Sequence, residues 1–197
     1  MGASVLHEEA IFPVKREGIP INIKNTNAPD EPGTLIVSDD SAEESTGTIT
    51  GVAGKKDFTV VAIEKTLMGA EKGFFRKLMS IMETNDIAVE HMPSGIDSVS
   101  LVVSNTELNS KLEKVVEEIR IYCGPDSITC YPNMALVAVV GRGMIKTKGI
   151  AAKIFGALAD EGVNIRMINQ GSSELNIIIG VENGDFERAV NAIYSAF

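Results

Sequence analysis

Residues able to do chemistry are few in this chain of 197, and their spacing assembles no reactive set. His7 and His91 belong to no Ser/His/Asp set and no HExxH pair. His91, beside Met92 and Pro93, reads as a packing or hydrogen-bonding histidine, and His7 has no evident partner. Cys123 and Cys130 fit neither a disulfide framework nor a metal-ligand spacing and read as buried, reduced thiols. Gly141-Arg142-Gly143 follows a strand-like run. Without the third glycine of a dinucleotide fingerprint it reads as a turn. No catalytic residue and no metal site is assigned.

The elements that would position any site are easier to read. Phe58–Val103 and Met134–Ile179 follow one plan at a constant spacing of 76 residues, Phe58 to Met134, without a gap. The spacing pairs Val61 with Val137, Met68 with Met144, Gly73 with Gly149, Lys77 with Lys153 and Gly95 with Gly171. A gapless repeat that keeps glycines and core positions in register predicts two copies of one small domain. In the first copy the pattern gives a strand at 58–63 and a helix at 73–85 with Phe74, Phe75, Leu78, Ile81 and Met82 at helical spacing. Strands follow at 87–92 and 98–103, then a helix at 108–122 and a strand at 127–131. The second copy reads as strand 134–140, helix 149–161, strands 163–169 and 175–182, and helix 185–196. This β-α-β-β-α-β order predicts an α+β fold of two ferredoxin-like units. The second copy lacks a fourth strand, and the orphan run Thr48–Ala53 is available to supply it. The first unit is therefore expected to be inserted within the second, with Gly54-Lys55-Lys56-Asp57 as a turn between them.

Ahead of the repeats, residues 2–17 read as a helix with Val5, Leu6, Ala10 and Ile11 on one face, bent or ended by Pro13. Ile19–Ile23 and Thr34–Val37 read as short strands. Residues 38–47, acidic and small, read as a solvated linker. The net charge of −9 and pI near 4.8 speak against a nucleic-acid partner. No apolar run approaches a membrane span and the N-terminus shows no signal pattern, which leaves the cytoplasm as the expected location.

The repeated units, with a glycine at the start of the first helix, resemble ACT domains, which bind small regulatory molecules. VEHMPSGIDSVSLVV (89–103) and VNIRMINQGSSELNIIIGV (163–181) are similar to the paired ACT domains of aspartate kinases. The N-terminal GASVLHEEAIFPVKREGIPINIKNTNAPDEPGTLI is similar to the closing segment of that family's kinase domain. The family's phosphate-binding Lys-Phe-Gly-Gly motif does not occur. The resemblance implies a kinase-domain remnant at 1–37, a linker at 38–47, a first ACT domain at 58–133, and a second built from 48–57 and 134–197. It also implies a regulatory fragment, inactive alone, of an enzyme that phosphorylates aspartate with ATP and Mg2+. The fragment itself would need no cofactor.

In this family the effector is gripped by the loop before the first helix and by the second strand and its turn. Carried onto this chain, those are Met68, Gly69, Ala70, Gly73, Phe74 and Phe75, and Ala88, Val89, Glu90, Ser94, Gly95, Ile96 and Asp97. An amino acid would set its carboxylate on the amides near Gly73 and its ammonium against Glu90 or Asp97. Glu90 and Asp97 as plain surface acids is the other reading. The second copy has Arg166 in place of Glu90 and Lys146 in place of Ala70. Either the first copy alone takes an effector with a side-chain amine, or Arg166 is a solvated strand residue. The implied function is feedback control of lysine, threonine and methionine synthesis by a dimer joined through its ACT domains, with lysine first and threonine second as effector. A free-standing ACT sensor and a small ferredoxin-like enzyme are the alternatives.

Overall fold

A computed structural model describes residue 6 and residues 8–37, 47–145 and 147–197. His7, the start of the expected first helix, residues 38–46 of the expected linker, and Lys146 lie outside the described residues.

Helix α1 (Glu8–Arg16) continues through Pro13, which removes a single donor and does not end it. Gly18, at φ +68°, does end it. Its N–H bonds Lys15 O at 3.2 Å, and the Ile19 N–H bonds Val14 O at 2.9 Å, the paired closure that a left-handed glycine permits. Strands β1 (Ile21–Ile23) and β2 (Thr34–Ile36) then pair antiparallel as a separate two-stranded sheet.

Two strands of 14 residues, β3 (Gly51–Glu64) and β5 (Ser127–Val140), form the spine of the rest. They pair antiparallel along their length, and the five-stranded sheet has the order β4 (Ser98–Ser104), β3, β5, β7 (Asn176–Glu182), β6 (Met167–Gln170). Gly51–Lys55 pairs with Leu136–Val140, while Phe58–Glu64 pairs with both β4 (Ser98–Ser104) and the first half of β5. The run expected to complete the second copy thus lies against that copy's first strand. The expected turn at Gly54–Asp57 is not a turn. The strand runs through it on a bulge, with Asp57 in the left-handed region at φ +68°. Asn183 holds the bulge open: it accepts from the Asp57 amide at 3.1 Å and donates to the Asp57 carboxylate at 2.8 Å. Gly54 is required by packing, since a Cβ there would stand 2.4 Å from Leu136 O and 2.5 Å from the Phe186 ring.

Helix α2 (Phe74–Thr84) buries Phe74, Leu78, Ile81 and Met82 as their spacing predicts. The expected helix at 108–122 is broken. A short α3 (Asn105–Leu108) precedes α4 (Leu112–Cys123), because Asn109 turns to φ +35° and Lys111 reaches back to Asn85 O and Asp86 O at 2.9 and 3.0 Å. In the second copy come α5 (Ile150–Asp160), β6 (Met167–Gln170), β7 (Asn176–Glu182) and α6 (Phe186–Ser195).

The expected strand at 87–92 is an irregular edge, making bridges only at His91–Val102 and Ser94–Val99. The amides of Glu90 and His91 both point to Val102 O, at 2.9 and 3.4 Å, and Pro93 has none to give, so no regular ladder forms. The strand expected at 163–169 is likewise shortened at its start, with one Arg166 N–H to Gly180 O bond before Met167.

Alternation along the strands divides the interior into three clusters. Val61, Ile63, Leu101 and Val103 face α2 and α4. Val137, Val139, Ile177 and Ile179 face α5 and α6. On the helix-free face, Phe58, Val60, Val102, Met134 and Leu136 form a third cluster with Met167 and Ile178. Beside it lies a cavity of about 260 Å3 lined in part by Ala62, Tyr131 and Arg166. His91, next to β4, hydrogen-bonds Asn169 of β6 at 3.0 Å, although β4 and β6 are opposite edges of the sheet. The sheet is therefore curled until its edges meet, and both helical layers lie outside.

Candidate functional site

The loop between β3 and α2 is fixed by main-chain and charged contacts. The Lys65 amide donates to Asp97 O at 2.9 Å. Asp126 accepts from the amide and hydroxyl of Thr66 at 2.6 and 2.7 Å, which holds its carboxyl below the ordinary range. Leu67, at φ +60°, leads into a single 310 turn, Met68–Ala70, pinned by the buried Met68 side chain. Glu71 takes Lys77 Nζ at 2.8 Å and Lys65 Nζ at 3.0 Å, and these two bonds hold its carboxyl down. Gly73, at φ +82°, starts α2, and no side chain caps the amides that follow.

The candidate residues divide by position. Gly69, Ala70 and Gly73 are exposed, whereas Met68 and Phe74 are core residues with almost no accessible surface. Phe75 is half-exposed and packs edge-on to Phe74. The turn Ser94–Asp97 meets the loop: a Cβ at Gly69 would lie 3.6 Å from Ile96 O, and Ile96 itself is 86% exposed. The Gly95 N–H bonds Ser98 O at 2.7 Å and closes that turn. Ala88, Val89 and Glu90 lie further along the edge. Val89 packs against the first core, and Glu90 pairs with Lys55 at 3.3 Å. The structure thus brings Gly69 to the Ser94–Asp97 turn and pairs Glu90 with Lys55.

The second copy repeats the loop with different contacts. Gly149, at φ +86°, starts α5 uncapped, above a cleft of about 310 Å3 lined by Met144, Thr147, Lys148, Gln170 and neighbouring residues. Arg166, equivalent to Glu90, is neither free nor fully solvated. It bonds Glu182 at 2.9 Å and lies 5.0 Å from the Tyr131 ring centre. Gly141 and Gly143 serve close packing: a Cβ at Gly141 would stand 2.6 Å from Thr48 O, and one at Gly143 2.6 Å from Gly47 O. The Arg142–Met144 segment is a 310 turn, in keeping with the turn expected there.

Burial pushes both thiols up from the ordinary cysteine value and pushes His91 down. Sequence reasoning missed Lys65, Glu71 and Asp126. Lys65 was detectable as a mismatch between the copies, since its equivalent is Gly141. Its partners include main-chain carbonyls, which no side-chain pattern reveals. Among the described residues, no three His, Cys, Asp or Glu side chains converge as a metal would require. No helix among them is long and apolar enough to cross a membrane.

Residues 137–197 match the family model of an ACT domain. The whole chain is 38% identical to aspartokinase 3 of Bacillus subtilis, covering 43% of that protein. It superposes on the crystal structure of Clostridium acetobutylicum aspartate kinase with a TM-score of 0.92 at 65% identity, covering 98% of this chain and 45% of that one. Against the T-state structure of E. coli aspartokinase III in complex with lysine and aspartate, the TM-score is 0.76 at 26% identity, over 97% of this chain and 42% of that one. The chain spans less than half the length of the curated relatives it matches.

Proposed function

From the premise that this chain belongs to the aspartokinase family, as an ACT-containing regulatory region, we propose that it binds an amino-acid end product and transmits feedback inhibition to an aspartate kinase activity. That activity is ATP-dependent phosphorylation of L-aspartate, at the head of lysine, threonine and methionine synthesis. Lysine is the effector of first choice and threonine the second. The site is the first-copy loop Met68–Phe75 with the edge Ala88–Asp97. The single observation that carries this reading is the uncapped start of α2 at Gly73, on the loop whose Gly69 meets the Ser94–Asp97 turn. A helix start offers amides to a carboxylate, and an acidic turn offers an ammonium its partner. The E. coli relative crystallised with lysine and aspartate lends support.

The protein acts as a dimer through its ACT domains, because the irregular edge at 87–94 leaves main-chain groups for a second copy to meet. Inhibition is then a coupling free energy between the effector site and a catalytic site, expressed through two states of the dimer. We place the protein in the cytoplasm, with ATP and Mg2+ serving the catalytic part and no cofactor here. Calorimetric titration of the chain against lysine, threonine, methionine and diaminopimelate tests the reading. Saturable binding of lysine or threonine is expected, and binding of none of the four overturns it.

A further inference from the structure

We propose that Lys65 is the positioning residue of the effector loop, tying that loop through Glu71 to the C-terminal end of α4. The inference rests on the effector reading above. Lys65 Nζ lies 2.6 Å from Cys123 O, 2.9 Å from Gly124 O, 3.0 Å from Glu71 Oε2 and 5.7 Å from the Phe74 ring centre. Its side chain is 18% exposed. An ammonium so enclosed has exchanged most of its water for fixed acceptors, and charge-assisted bonds to three oxygens compensate. Two of the three are the closing carbonyls of α4, where the helix dipole favours a cation. The third, Glu71, is the acidic residue of the loop itself. Its other oxygen takes Lys77 of α2, so one carboxylate is stretched between two ammonium groups on different elements.

The loop needs such a restraint. It begins at Leu67 (φ +60°) and ends at Gly73 (φ +82°), and a non-glycine residue holds a left-handed conformation only where its surroundings impose it. Among the described residues the second copy does not repeat these contacts: Lys65, Glu71 and Lys77 are matched by Gly141, Thr147 and Lys153, and Lys153 Nζ lies over the Phe197 ring at 4.2 Å. Through Gly124 and Asp126, which grips Thr66, the end of α4 continues into β5, the strand both copies share. The loop is thereby fastened to main chain that reaches the second copy.

The test uses the full chain with Glu71→Gln, Lys65→Met, Lys65→Arg and the double variant K65M/E71Q. Amide hydrogen exchange is read without ligand, and lysine affinity by calorimetry. In E71Q and K65M, exchange across Leu67–Gly73 should speed by about tenfold or more, while α5 of the second copy is unchanged. Lysine affinity should fall by about tenfold or more, and the double variant should lose no more than the worse single. Lys65→Arg should recover part of both readouts relative to Lys65→Met, because a guanidinium keeps the charge and the donors but is bulkier than the ammonium. Glu71→Gln keeps the carbonyl bonds of Lys65 and decides the matter if Lys65→Met fails to fold. Wild-type exchange and affinity in E71Q would overturn the clamp. A wild-type chain that binds none of the four amino acids would instead overturn the effector reading, and with it the role given to Lys65, whatever exchange shows of the tie.

Discussion

Lys55 Nζ stands 3.3 Å from Glu90 Oε1, across the outer edge of the first copy. The Asp97 side chain forms no ion pair among the described residues, and its turn is the one that meets Gly69. Of the two carboxylates able to receive an effector's ammonium, Glu90 would first have to leave a partner.

Asp97→Asn should therefore weaken lysine binding by about tenfold or more, and Glu90→Gln should leave it within about threefold. Calorimetry on both variants checks this. The reverse ranking would move the ammonium to Glu90.

Asp57 and Asn133 are equivalent across the repeat and both are left-handed, at φ +68° and +58°, in the middle of the two long strands. Asn133→Val puts a β-branched residue in a conformation that glycine and Asx residues adopt at least cost. It should cost about 1–2 kcal/mol in urea unfolding, and Asn133→Gly should be close to neutral.

Gly54→Ala drives a methyl group against Leu136 O and the Phe186 ring. Backbone cannot yield as a side-chain tip does, so the loss should reach about 1–3 kcal/mol. It should be seen as a lowered melting temperature, with amides of α6 exchanging faster than those of α2. Equal effects on both helices would mean that Gly54 serves the whole sheet rather than the seat of Phe186.

His91 is a base whose folded-state value burial pushes below the ordinary imidazole value of about 6.5. As pH falls below about 6.5, the unfolded chain takes up a proton that the folded chain resists, so stability is full above that value and declines beneath it. Urea midpoints of wild type and His91→Gln at pH 7.5 and 5.5 should show a larger drop in the wild type. Parallel drops would remove His91 from the account.

Light scattering of the chain at tens of micromolar should return about twice its 21.1 kDa mass. A monomer would count against dimerisation through the ACT domains.

Much of the fold was legible because repetition is legible. Gly73 and Gly149 share a left-handed helix start, and the apolar positions of α2 and α5 coincide in the spacing. The junction was misread because Gly54-Lys55-Lys56-Asp57 has the composition of a turn. What makes it a strand is contact with Leu136, Phe186 and Asn183, far away in sequence. The third cluster was invisible for a related reason. Val60, Val102 and Ile178 alternate outward from the helices and would face water if the sheet were flat. The candidate loop Gly69–Gly73 was proposed from the family pattern, whereas Lys65 was not, because a lysine bonded to carbonyls has no sequence signature.

The shared strands also impose an order of events on synthesis. Every element of the first copy, from Phe58 to Tyr131, is made before Leu136 emerges, so that copy can close on itself early. Gly51–Lys55 has already left the ribosome by then, yet its partner Leu136–Val140 is still to come. The nascent chain must carry this strand with an unsatisfied flank while a neighbouring domain folds on its C-terminal end. Its short length, its two glycines and its terminal lysine suit that wait, for they make it a poor template for any other strand.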